Sequence, residues 1–209
     1  MGFQIQISEN AFSSKILSID EQFLTYHDTQ MDLQDVVAFR YGATSRRVNG
    51  IEVGVLYDFA YLDSSEDEIK IRFGDGIFSI NEAEFKFNEI VKATWYFLGN
   101  RMVNEALAKI SRGEEIIVGG HTCNREGVQI VKKPLFGKEK THLVKWNHVR
   151  HDVTGGFLNF KSAIDSDIYS SSSVIHGWNK MVLAELFQQA RTSRQMLNYL
   201  EGKEVFNYQ

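Results

Sequence analysis

The chain has 209 residues, 43% of them hydrophobic and 12% aromatic, enough to bury the core of one large domain or of two domains of about 100 residues each. One proline and no low-complexity tract exclude long disordered linkers, and a single cysteine, Cys123, excludes an intrachain disulfide and fits a reducing compartment. A net charge of -4 argues against a general nucleic-acid binder.

The opening stretch "MGFQIQISENAF" lacks a basic region followed by an apolar block, so no signal peptide is expected. No run of about 18 apolar residues is present, so no membrane-spanning helix is expected. Charge is unevenly spread. Residues 1–112 carry 11 Lys+Arg against 17 Asp+Glu, a net of -6, and residues 113–209 carry 12 against 10, a net of +2. The halves differ in sign, and the basic half holds the densest lysine cluster.

In chain order, short strand-like runs come first. "FQIQI" alternates, and "FSSKILSI", "QFLTYHD" and "QDVVAFRYGA" are rich in β-branched and aromatic residues. In "IEVGVLYDFAYL", Val53, Val55, Tyr57, Phe59 and Tyr61 fall on one face. After the turn "DSSED", Ile69, Ile71 and Phe73 point inward. The period then changes. Phe87, Val91, Thr94, Leu98 and Met102, with Val103, Leu107 and Ile110, predict an amphipathic helix over 81–112. Asn81 and Glu84 have the spacing of a capping box, Gly99 predicts a kink or break, and Gly113 predicts a stop.

The second half repeats this order. "EEIIVGGHTCNREGVQIVKK", "HLVKWNHVRHDV" and "GGFLNFKS" read as strands. Helical spacing returns with Trp178, Val182, Leu186 and Gln189 and with Leu183, Phe187 and Ala190, and it extends toward a stop at Gly202. Strands followed by one long helix, twice, indicate an internal duplication. "EQFLTY" echoes "EGVQIV", "LQDVVAFRYG" echoes "WNHVRHDVTG", and Trp95 and Trp178 fall at comparable places in the two helices.

The stretches "EGVQIVKK", "LVKWNHVRHDVTGGFLNF" and "WNKMVLAELFQQAR" together resemble the pleckstrin-homology-like (PH-like) fold, in its bacterial PH-like or GRAM-like variety. In such families an apolar residue three places ahead of a valine marks the third strand. Trp146 and Val149 match that pattern here, with Leu33 and Val36 as the first-half counterpart. The resemblance covers most of residues 114–191 and, more faintly, 10–112. It implies an α+β fold of two tandem PH-like units, residues 1–112 and 113–209. Each would be a bent antiparallel sheet closed by a C-terminal amphipathic helix, which plugs the open end with its apolar face.

The candidate sites follow from this frame. In lipid-binding members of that fold, basic residues on the loop between the first two strands hold anionic headgroups. If "GVQIVKK" and "KTHLVKW" are those strands, Lys132, Lys133, Lys138 and Lys140 match the loop, with Leu135 and Phe136 at its tip. Here Glu139 interrupts the lysines and no arginine follows Lys138, and lysines flanking an apolar hairpin also serve solubility. His148 and Asp152 would share a strand face while His151 points away, which supplies too few convergent ligands for a metal. Asp165 and Asp167 read as a turn, with Ser173 a candidate N-cap for the helix that follows. Arg46 and Arg47 read as a loop between the third and fourth strands. Cys123 sits in a strand-like stretch that gives no reason for reactivity.

The resulting expectation is a non-enzymatic binding or scaffold module that takes a protein or peptide partner and needs no cofactor. Peripheral attachment to anionic lipid through residues 132–140 is the first alternative. Metal-dependent hydrolysis, nuclease chemistry included, through His148, His151 and Asp152 is the second. A cytoplasmic location, self-association through an exposed edge strand and no nucleic-acid partner complete the expectation.

Overall fold

The computed structural model describes residues 2–10, 13–74, 80–132 and 138–203. The fold is mixed α+β with antiparallel sheets throughout and few helices. Close contacts divide the chain into two compact units, Met1–Arg101 and Met102–Gln209. This division falls inside the helical stretch.

In the first unit, β1 (Phe3–Asn10), β2 (Ser13–Ile19), β3 (Phe23–Tyr26) and β4 (Thr29–Asp32) form a four-stranded meander. A second meander of three strands follows: β5 (Val36–Val48), β6 (Ile51–Asp63) and β7 (Glu68–Gly74). Helix α1 (Ile80–Thr94) packs against β1 and β6. The period-two pattern read from the sequence places Tyr57, Phe59, Tyr61, Ile69, Ile71 and Phe73 in the core. Phe87 of α1 meets this face, with ring centroids 4.8 Å from Tyr57 and 5.2 Å from Phe59.

The expected irregularity near Gly99 takes the form of a π-helical turn, Trp95–Gly99, that leads into α2 (Asn100–Ser111). The Trp95 indole lies across Gly99, where an added Cβ would stand 2.3 Å from the ring. Its Nε1–H donates to the Tyr41 hydroxyl at 2.8 Å. Immediately before Trp95, the buried Thr94 hydroxyl donates to the Ile90 carbonyl and accepts from the Tyr61 hydroxyl at 2.7 Å. Every polar atom of that buried pair is thereby engaged.

In the second unit, β8 (Ile116–Val118), β9 (His121–Asn124), β10 (Gly127–Lys132) and β11 (Lys140–Lys145) again form a four-stranded meander. A 3-10 turn, Trp146–His148, leads to a second three-stranded meander: β12 (Val149–Thr154), β13 (Phe157–Ser162) and β14 (Tyr169–Ser173). Helix α3 (Lys180–Thr192) packs against β8, β12, β13 and the 3-10 turn, and α4 (Arg194–Leu200) follows. The order of four strands, three strands and a helix therefore occurs twice.

Several expectations need correction. The described strands of each unit form two sheets, of four and three strands, rather than a single bent sheet. "HLVKWNHVRHDV" is two strands, because the turn at Trp146–His148 carries the chain from one sheet to the other. Trp146 and Leu33 consequently mark that crossing, ahead of the fifth strand of each unit, and not the third strand. Asn81 lies inside α1 rather than capping it, and Ser173 ends β14 well before α3. The residue ahead of α3 is Asn179, in the left-handed region at φ 54° with no side-chain cap. The helix divides at Ser193, whose hydroxyl accepts from the Met196 N–H and caps α4. Trp95 follows α1 whereas Trp178 precedes α3, so the two tryptophans are not equivalent.

Candidate functional site

The hairpin β10–β11 carries the lysine cluster. Its loop joins the third and fourth strands of the second unit, not the first and second. Lys133, Leu135 and Phe136 lie outside the described residues. Lys132, Lys138 and Lys140 are exposed, and the register sets Lys132 directly opposite Lys140. Side chains paired in this way stand about 5 Å apart, and like charges there repel. On the same face Val128, Ile130 and Val144 are buried, so the lysine pair continues the core face past the end of the core.

The histidine group does not assemble as the hydrolase reading needs. His148 sits in the 3-10 turn and His151 on β12, while Asp152 points to the opposite face of β12. No group of three or more His, Cys, Asp or Glu among the described residues is placed to hold a metal ion. Asp165 closes its own turn, its carboxylate accepting from the Asp167 N–H at 3.0 Å. Arg46 and Arg47 lie within β5, near the Asn49–Gly50 tip of the β5–β6 hairpin, rather than on a loop. Burial pushes the Cys123 thiol up to about 12, which leaves it protonated and unreactive at neutral pH.

Sequence reasoning missed a different feature, the margin between β12 and α3. Among the described residues strand β12 pairs only with β13, so one side of it is a sheet edge there, and α3 packs alongside. The half-buried His151 ring lies there, 5.5 Å from that of Phe187. Its buried Nδ1, like Oε1 of Gln189 on α3, has no hydrogen-bond partner among the described residues. Burial lowers the His151 pKa, Arg191 lowers it further, and Asp152 opposes both. Burial also lowers that of His121, with help from Lys180 and against a bond to the Gln129 carbonyl. No motif spacing could have signalled this margin, because it depends on which strand is left at the edge.

The two histidines set a pH dependence. Each binds protons less readily folded than unfolded, so their contribution to stability is complete above the ordinary histidine value of 6.5. It is lost as pH falls from there through the lowered folded values. Urea unfolding from pH 7.5 to 5 should show falling stability, flattened in a His121→Gln/His151→Gln variant; a flat wild-type profile would contradict this. Carboxylates held below their ordinary values, such as Asp20 and Glu82, act in a more acidic window.

No described helix is long and apolar enough to cross a membrane. No family model matches the chain, and neither a curated protein nor a solved structure matches it.

Proposed function

We propose that this chain is a non-enzymatic binding module of two tandem PH-like domains, and that its second unit receives an extended segment of a protein partner between β12 and α3. The observation that carries the reading is the edge strand β12 with α3 alongside it, in a unit whose order of four strands, three strands and a helix suits a PH-like domain. An edge strand offers main-chain donors and acceptors to an added strand, and the neighbouring helix gives side-chain pockets for specificity. The His151 Nδ1, without a hydrogen-bond partner among the described residues, supplies a polar contact in the same margin. Selection of the full chain against a random library of extended peptides tests this. The reading predicts an enriched peptide that binds the full chain and is weakened by His151→Phe. Absence of any enriched peptide would overturn it.

A second reading, peripheral attachment to anionic lipid, is favoured by one observation, the direct opposition of Lys132 and Lys140. A basic residue near an anionic leaflet contributes about 1 kcal/mol. Flotation with anionic vesicles should then show binding that weakens with salt and is lost when Lys132, Lys133, Lys138 and Lys140 are all changed to Glu. Equal flotation of that variant, or no binding at low salt, would assign these lysines to solubility.

A further inference from the structure

The exposed face of the β12–β13–β14 sheet contains a trough of about 310 Å³, apart from the lysine hairpin and lined in part by Arg150 and Asp152 of β12. Its construction follows from the register. Arg150 pairs with Lys161, which pairs with Tyr169, and these side chains form one wall. Two residues along each strand, Asp152 pairs with Asn159, which pairs with Ser171, and these form the other wall. The row between them, His151–Phe160–Ser170, sends its side chains to the opposite face, so its backbone is the floor. Rows two residues apart are separated by about 6.6 Å along the strand.

The walls differ in charge and in how far their polar atoms are engaged. On the second wall, Ser171 Oγ donates to Asn159 Oδ1 at 2.7 Å, and Asn159 Nδ2 donates to Asp152 Oδ1 at 3.0 Å. That chain fixes Asp152 in place, and the bonds from Asn159 and Thr154 keep its carboxyl below the usual carboxylate range, hence ionised. The first wall sets two cations directly opposite each other, an arrangement that is unfavourable when nothing lies between them. Arg150 also bonds the Val149 carbonyl at 3.3 Å, which orients its guanidinium.

We propose that this trough binds a free acidic α-amino acid, glutamate or aspartate, with its carboxylates on Arg150, Lys161 and Tyr169 and its ammonium on Asp152. The charges match in number and sign. The trough has two cations and one carboxylate, and the ligand has two carboxylates and one ammonium. The Arg150 guanidinium suits a carboxylate through two parallel N–H donors, and Lys161 adds a point charge. The volume lies at the lower end of the range for small-molecule pockets.

Titration of the isotope-labelled full chain by NMR tests the proposal with three probes: L-glutamate, glutarate (which lacks the ammonium) and L-glutamine (which lacks one carboxylate). L-Glutamate should shift amides in 150–152, 159–161 and 169–171, and should bind at least about tenfold more tightly than either analogue. Arg150→Gln and Lys161→Gln should each weaken glutamate about tenfold or more. Asp152→Asn should erase the preference for glutamate over glutarate while leaving the far-UV circular dichroism unchanged. No shift at about 10 mM glutamate, equal binding of glutarate, or undiminished binding by Arg150→Gln and Lys161→Gln would each overturn the proposal. Peptide binding at the β12 edge is read by a different probe and a different variant, so either idea can fail alone.

Discussion

Changing Trp146 to alanine should cost about 3–5 kcal/mol of stability, the largest effect of any side-chain truncation in the second unit. Trp146 is only 1% exposed and stands where the chain passes from one sheet to the other. Its indole N–H donates to the Asn124 carbonyl at 2.9 Å, and its ring lies 6.1 Å from Phe187 of α3. One side chain thus ties the crossing, the β9–β10 turn and the helix together. Truncation leaves a large cavity and removes the donor from the Asn124 carbonyl. A drop in urea midpoint with little change in slope is the expected result. A loss below about 1 kcal/mol would mean that the crossing is held by something else.

Gly127→Ala should be nearly as damaging, for a backbone reason. Gly127 has φ 157°, and a Cβ there would stand 2.0 Å from the Val144 carbonyl oxygen and 2.9 Å from Lys145 Cα. Both atoms belong to the backbone of β11, the partner strand, so no side chain can move aside. The pair Gly127–Lys145 must open, at a cost of about 3 kcal/mol or more. Hydrogen exchange should show faster exchange in β10 and β11 of the variant. Unchanged protection there, together with an unchanged urea midpoint, would contradict the account.

Much of the fold is legible in local pattern. Alternation through Tyr57, Phe59 and Tyr61 marks a half-buried strand, and the three-and-four spacing from Phe87 to Leu107 marks a helix face, because each periodicity follows directly from backbone geometry. Gly99 and Gly113 carry their information in one residue each, the first by making room for Trp95 and the second by ending α2 at φ 89°. The echo of "LQDVVAFRYG" in "WNHVRHDVTG" also has a structural counterpart, since Leu33 and Trp146 both precede a fifth strand.

What the sequence conceals are relations between strands. Lys132 and Lys140 are eight positions apart, and only the register makes them opposite. The same holds for Arg150 with Lys161 and for Asp152 with Asn159. The crossing at Trp146–His148 is hidden because "HLVKWNHVRHDV" keeps strand-like composition across a 3-10 turn. The hairpin's place in its sheet is set instead by the two short strands ahead of it, β8 and β9, which make its strands the third and fourth of the unit. The edge position of β12 follows from the order of the three-stranded sheet, which no local window contains.

The most direct measurement is hydrogen exchange on the full chain with and without a peptide selected against it. Strand addition between β12 and α3 predicts slowed exchange in residues 149–154 and along α3, with β5–β7 of the first unit unchanged. Protection confined to any other segment, or none at saturating peptide, would contradict the proposed mode of binding.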